Sequence, residues 1–217
     1  MSQRITVLLA DDHAVVREGY RRLLEESGRV TVVGEAASAA EAYQQFCALD
    51  PAVVVMDIAL PGVSGIEGMR RILARKPGAR VLMFSMYEDA IFVRRALDAG
   101  ASGYLTKASA PRALVEAVDA VASGKRYLSR DISHAAGSAL VGDDAVASSL
   151  SAREFEILKL LAQGSSVAEI AGAHGLNHKT VANHQSSIKQ KLDVTSATQL
   201  MRAAMRLGLV PSIDETR

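Results

Sequence analysis

Three acids, a hydroxyl and an amine stand at the ends of apolar segments that are far apart in this chain. Asp11 and Asp12 follow ITVLLA, Asp57 follows AVVVM, Ser85 closes RVLMFS and Lys107 closes GYLTK. Carboxylates brought within a few ångströms repel one another unless a cation lies among them. An incomplete, oxygen-rich cage of that kind suits Mg2+, which keeps several waters and takes few protein ligands. An aspartate beside such an ion can attack a phosphoryl group, with an ammonium and a hydroxyl to balance its equatorial oxygens. The five residues therefore point to phosphoryl chemistry centred on Asp57, provided that the fold brings the segment ends together.

The segments between them are of the kind that would do so. Val16, Tyr20, Leu23 and Leu24 recur at helical spacing after the first apolar run, and Gly28 is placed to stop that helix. VTVVGEA then leads to a helix opened by a capping-box pattern, Ser38 with Glu41. Further helices fit at about 66–75 and 89–99, and another begins near Pro111, where proline is tolerated in a first turn. Continuous apolar strands separated by amphipathic helices predict an α/β doubly wound domain, a five-stranded parallel sheet covered on both faces and ending near Gly124. Ligands of such sheets bind at the carboxyl ends of the strands, where strand order reverses. That edge is where all five groups are expected.

Residues 125–148 change character and read as a linker, with a short helical pattern at about 130–140 before small and acidic residues. From 149 onward one device recurs. Ser151 with Glu154, Ser166 with Glu169 and Ser196 with Gln199 form capping boxes, Asn177 stands as an N-cap, and Gly164 and Gly175 fall where helices should stop. Four short helices result, the second and third spaced as a helix-turn-helix. On the third, at about 178–192, Val181, Ile188 and Leu192 share a stripe with Gln185, while Lys179, Asn183, Ser186 and Gln190 gather opposite. No acid lies between Ile170 and Leu192, so Lys179, Lys189 and Lys191 make the helix locally cationic. The region from 148 nevertheless totals only +2, eight Lys and Arg against six Asp and Glu. Such a face suits phosphate contact and reading of double-stranded DNA in the major groove.

Composition narrows the field further. A net charge of +1 over 217 residues means that nucleic-acid affinity must be local. No apolar run reaches membrane-spanning length, and the first residues meet an acidic pair before a signal-like region could form, so a soluble, cytoplasmic protein is expected. The one cysteine, Cys47, has no internal disulfide partner and reads as a partly buried, inert thiol. His174, His178 and His184 lack the carboxylate or cysteine spacing of a metal site and fit surface or turn roles.

The stretches LLADDHAVVREG, VVVMDIALPGVSG, MFSMYED and AGASGYLTK resemble the receiver domain of two-component response regulators, over residues 5–124. The resemblance implies phosphorylation of Asp57 by a sensor histidine kinase or a small phosphodonor. It also implies Mg2+ held by Asp11 or Asp12 and Asp57 with the backbone carbonyl of Ala59, and phosphoryl contacts from Ser85 and Lys107. Tyr104 matches an aromatic switch position that turns inward when the hydroxyl residue reaches the phosphoryl group. One departure is Ala108, where many receivers have a proline.

LSAREFEILKLLAQGSSVAEIA followed by NHKTVANHQSSIKQKL resembles the LuxR-type DNA-binding domain, over 149–209. Together the two parts are similar to NarL/FixJ regulators, and GYLTKASAPRALVEAVDAVASGKRYLS is most similar to the GacA/UvrY branch. The implied organisation is a receiver at 1–124, a linker at 125–148 and a helix-turn-helix domain at 149–217. Promoter DNA would be met by Lys179, Thr180, Ala182, Asn183, Ser186 and Lys189, and a homodimer on DNA or after phosphorylation would use part of the stripe Leu200, Met201, Ala204, Leu207. Ala182 and Ser186 stand where some relatives carry a long basic residue, so guanine readout is not expected there. No enzymatic activity beyond slow hydrolysis of the protein's own aspartyl phosphate is implied, since an aspartyl-nucleophile hydrolase would place an acid where Ala59 stands. A LuxR-type regulator switched by a small ligand instead of phosphate is the alternative. An aromatic content of 4% and no tryptophan count against such a pocket, and it leaves the acidic edge unexplained.

Overall fold

Val53, Val54, Val55 and Met56 form a strand in which side chains on both faces are buried, at 0–2% exposure. A strand that is wet on neither side must be covered twice, and the N-terminal part of the chain is built on that requirement. In the computed structural model, residues 4–109, 111–129, 132, 149–173, 176–207 and 209–210 are described. The helical pattern expected at 130–140 and the stop expected at Gly175 lie outside these, Ile132 excepted. The chain divides into two compact units, Met1–Ala139 and Leu140–Arg217.

In the first unit, strands β1 (Ile5–Ala10), β2 (Val30–Ala36), β3 (Val53–Met56), β4 (Val81–Ser85) and β5 (Gly103–Thr106) alternate with helices. These are α1 (Ala14–Glu26), α2 (Ala39–Leu49), α3 (Gly65–Arg75), α4 (Ala90–Asp98) and α5 (Pro111–Ala122). All strand pairs are parallel, and these five run in the order β2-β1-β3-β4-β5. One face of the sheet packs Val7, Leu9, Val53, Val55, Leu82, Phe84 and Leu105 with Leu24 of α1 and Leu114, Ala117, Val118 and Val121 of α5. Residues of the alternate parity, among them Leu8, Val54, Met56, Met83 and Tyr104, are buried at 0% on the other face. The chain runs from β1 outward to β2 and then crosses back to β3. Strand order therefore reverses between β1 and β3, whose tips carry Asp11 and Asp57.

The sheet has one strand more than the sequence predicts. β6 (Tyr127–Leu128) pairs with β5, Gly103 opposite Tyr127 and Tyr104 opposite Leu128. Two residues are too few to show any periodicity, so nothing local marks them as a strand. The existing edge of β5 recruits them. A second correction concerns Cys47, which is exposed and not partly buried: it lies on the solvent side of α2, whose buried residues are Ala39, Ala42 and Phe46.

The second unit contains α6 (Ala152–Ala162), α7 (Val167–Ala173), α8 (His178–Lys191) and α9 (Ala197–Arg206) among the described residues. The capping boxes at Ser151–Glu154 and Ser196–Gln199 are closed in both directions. At Ser166–Glu169 the Glu169 N–H donates to Ser166 Oγ at 3.2 Å, and Glu169 Oε2 accepts the Ser166 N–H at 2.7 Å. Asn177 caps α8 by accepting the Lys179 N–H, and Gly164 ends α6 with φ +95°. Among the described residues no helix is long and apolar enough to cross a membrane.

One glycine fixes where α3 starts relative to Asp57. Gly65 donates its N–H to Ile58 O at 3.0 Å, and a Cβ added there would overlap the Asp57 carbonyl oxygen. Backbone cannot yield as a flexible side chain does. Gly65→Ala is therefore expected to cost about 2 kcal/mol in urea denaturation, within the range for overpacked sites, and to shift the backbone amide resonance of Asp57.

Candidate functional site

The residues that close the site continue the sheet by one step. Asp57 N–H donates to Ala10 O at 2.8 Å, Asp11 N–H to Ala36 O at 3.0 Å, and Lys107 N–H to Ser85 O at 2.8 Å. Each backbone position is thus set by a neighbouring strand, and three distant segments deliver their side chains to one edge. There the Lys107 ammonium bridges the acids, with Nζ 2.5 Å from Asp11 Oδ2 and 2.5 Å from Asp57 Oδ2. Side-chain exposures of 7% for Lys107, 8% for Asp11 and 4% for Asp57 put this trio away from bulk water. Burial on its own would lower the Lys107 pKa, but the charge of Asp57 and the bonds to both carboxylates outweigh it and leave the group above its ordinary value. Lys107 is therefore a cation at neutral pH.

The remaining carboxylate oxygens are also engaged. Asp11 Oδ1 accepts the His13 N–H at 2.8 Å and Asp57 Oδ1 accepts the Ala59 N–H at 3.2 Å. The second bond keeps the turn that carries the Ala59 carbonyl beside Asp57. Asp12 stands at the rim with its side chain 32% exposed, 2.8 Å from His13 Nδ1. Among the described residues, Asp11, Asp12 and His13 offer donor atoms within 4.8 Å of one another. Two buried carboxylates against one ammonium leave a net charge of −1, and Asp12 at the rim makes it −2. That excess and its hard oxygen donors are what a divalent cation such as Mg2+ requires.

Ser85, fully buried at the end of β4, accepts the Tyr87 N–H at Oγ, 3.5 Å away. Tyr104 is fully buried in β5, and its hydroxyl donates to Tyr87 O at 2.7 Å. Burial, with the charges of Asp57 and Asp89, pushes its phenol well above the usual range. The ring thus lies inward, and the two hydroxyl residues hold opposite ends of the same Tyr87 backbone.

The second unit keeps most of the expected outward face of α8. Lys179, Ala182, Asn183 and Ser186 are exposed, Thr180 and Lys189 are half-buried, and Val181 and Ile188 pack at 0% exposure. Ser186 Oγ donates back to Ala182 O at 3.0 Å. Lys191, read in the sequence as part of a locally cationic helix, has a partner on another helix. Its Nζ lies 2.6 Å from Oε2 of Glu154, 37 residues earlier, and Ser187 Oγ donates to Oε1 of the same carboxylate at 2.6 Å. Glu154 is 4% exposed and also receives the Ser151 N–H at 2.7 Å. Burial alone would raise its pKa, but the Lys191, Ser187 and Ser151 bonds bring it down to about 2. The capping acid of α6 is therefore also the anchor of the last turn of α8, a second role that its capping pattern does not reveal. On α9, Leu200, Ala203 and Ala204 are buried, while Met201 and Leu207 are half-buried. His178 is exposed and His184 half-buried, and His174 lies outside the described residues.

A parallel sheet with acids and a lysine at its switch point, followed in the chain by a helix-turn-helix, defines a signal receiver joined to a DNA-binding module. The profile described as response regulator receiver domain matches residues 7–119, and that of bacterial regulatory proteins, luxR family, matches 148–204. The transcriptional activator protein ExaE of Pseudomonas putida is 38% identical over 208 residues, which cover 94% of this chain and 97% of that one. Response regulator UvrY of Escherichia coli is 35% identical over 208 residues, covering 94% and 95%. A solved structure of two RcsB dimers bound to two parallel DNAs is 27% identical with a TM-score of 0.60, covering 94% of this chain and 100% of that chain. The chain belongs to the LuxR-type family of two-component response regulators, and it is a DNA-binding regulator of that kind.

Two outcomes follow from the electrostatics. Lys107→Met leaves two buried carboxylates facing each other and should cost about 3 kcal/mol at pH 7 in urea denaturation. Glu154 is lowered from 4.5 to about 2, so its contribution to stability is complete above 4.5 and lost as pH falls from there toward 2. Glu154→Gln should cost about 2 kcal/mol at pH 7, read as faster hydrogen exchange at α8 amides, and should remove that acid-range dependence.

Proposed function

We propose that Asp57 is the phosphoacceptor of a switch that controls promoter binding. The bridge from Lys107 to Asp11 and Asp57 at the sheet edge carries this reading. In the proposed step a carboxylate oxygen of Asp57 attacks phosphorus in a phosphohistidine of a sensor kinase or in an acyl phosphate. A new P–O bond forms, the P–N or P–O bond to the donor breaks, and the leaving group keeps the electron pair, the imidazole taking a proton from solvent and the carboxylate of an acyl phosphate leaving as the anion. Asp11, Asp12, Asp57 and the Ala59 carbonyl would hold Mg2+, which supplies positive charge for the incoming phosphoryl oxygens. Lys107 is already in place to share that duty, and Ser85 donates a hydrogen bond to the same oxygens.

Phosphorylation adds roughly two negative charges at Asp57. Ser85 and Tyr104 transmit the change, because both hold the Tyr87 backbone in the loop between β4 and α4. A homodimer then presents two copies of α8, with Lys179, Thr180, Ala182, Asn183, Ser186 and Lys189 toward the DNA, and two weak half-site contacts act as one tight one. The domain limits that go with this reading are 1–124, 125–148 and 149–217. The place of action is the cytoplasm, with a sensor histidine kinase as phosphodonor. Hydrolysis of the aspartyl phosphate is slow, since Ala59 supplies no acid or base.

The test uses the full chain and a promoter fragment that it selects from genomic DNA. Acetyl phosphate with Mg2+ should tighten binding at least tenfold, and Asp57→Asn should abolish the gain. Equal affinity with and without the phosphodonor would remove phosphorylation from the account.

A further inference from the structure

Asp11 is held at every polar atom it has. Its N–H goes to Ala36 O, Oδ1 accepts from His13, Oδ2 meets Lys107, and its carbonyl accepts from Arg17 Nη1 at 2.6 Å. That carbonyl belongs to the peptide joining Asp11 to Asp12, so the bond fixes the plane from which both acids leave the chain. Arg17 lies in the first turn of α1 with its side chain 17% exposed, and its Nε donates to Glu35 Oε2 at 2.7 Å. Glu35 is next to Ala36. The end of β2 therefore grips Asp11 twice, once through the Ala36 carbonyl and once through the Glu35–Arg17 pair.

The pair is balanced in charge. The Arg17 hydrogen bond, with one from Arg21 Nη1 at 2.8 Å, holds the Glu35 carboxyl below its ordinary range, so Glu35 is ionised and offsets Arg17. A bare guanidinium this close would compete with any cation for the acids. Arg17 also lines, with Asp11, Tyr20, Asp57 and Phe84, a small cavity behind the acid pair. It forms an ion pair with Glu35 and none with Asp11 or Asp57, so its hold on the site runs through the backbone.

We propose that Arg17 is a positioning residue for the divalent cation at Asp11, Asp12 and Asp57, acting through the Asp11 carbonyl and kept neutral in effect by Glu35. The inference rests on the Mg2+ site proposed above. Loss of an outer partner of this kind weakens metal binding by roughly ten- to a hundredfold.

Isothermal titration of Mg2+ into the full chain, at a temperature where circular dichroism shows each variant folded, tests it. Arg17→Gln cannot span Glu35 and the Asp11 carbonyl together, and its Kd for Mg2+ should rise roughly tenfold. Arg17→Lys keeps the charge and one bond and should fall between Gln and wild type, a partial rescue that helix stability alone would not give. Glu35→Gln should also weaken binding, because the guanidinium is then free to compete. A wild-type Kd in both Arg17 variants, alongside weakened binding in Asp11→Asn, would overturn the positioning role alone. Unchanged binding in Asp11→Asn as well would overturn the cation site and this inference together.

Discussion

One ammonium between two buried carboxylates is the interaction on which the rest depends. Lys107 reaches Asp11 and Asp57 with the same atom, and none of the three could be buried so completely without the others. Because the groups come from the tips of β1, β3 and β5, their meeting demands a parallel sheet with those strands in adjacent or near-adjacent places. The order β2-β1-β3-β4-β5-β6 satisfies that demand. The fold and the site are in this sense one constraint seen at two scales: apolar strands covered twice, and polar tips gathered at the edge where the crossover opens.

In the proposed function the same edge is where phosphate is taken up. Lys107 compensates only part of the acid charge, so the site still favours a further cation and, with it, an anionic group. In the proposed switch, Ser85 and Tyr104 would carry the state of the site away from the edge, because they share the Tyr87 backbone at bonds of 3.5 and 2.7 Å. In the helical unit a comparable economy operates at Glu154. It opens α6 as a cap and closes the last turn of α8 through Lys191 and Ser187, which sets α8 against its neighbour.

Much of this was legible in the chain because strand tips and helix caps leave local marks. Asp11, Asp57 and Lys107 each follow an apolar run, and a parallel sheet leaves such residues little choice of location. The boxes at Ser151, Ser166 and Ser196 likewise form between residues three apart. What escaped was set by partners distant in sequence. β6 exists because β5 offers an open edge, not because of the residues Tyr127 and Leu128. Lys191 read only as part of a locally cationic helix because the acid that binds it lies 37 residues away on another helix. Arg17 carries no mark of its own in the sequence, since its meaning depends on Glu35 and on a carbonyl. The exposure of Cys47 turned on which side of α2 faces solvent, a question that one thiol does not answer.

The fate of Asp57 decides whether this edge takes up phosphate. Intact-mass spectrometry of the full chain after incubation with acetyl phosphate and Mg2+ addresses it directly. The chain should gain the mass of one phosphoryl group, the gain should map to Asp57, and it should vanish with a chelator or in Asp57→Asn. A chain that gains nothing under these conditions, or gains the group equally without Asp57, would contradict the claim that this edge is built to accept phosphate.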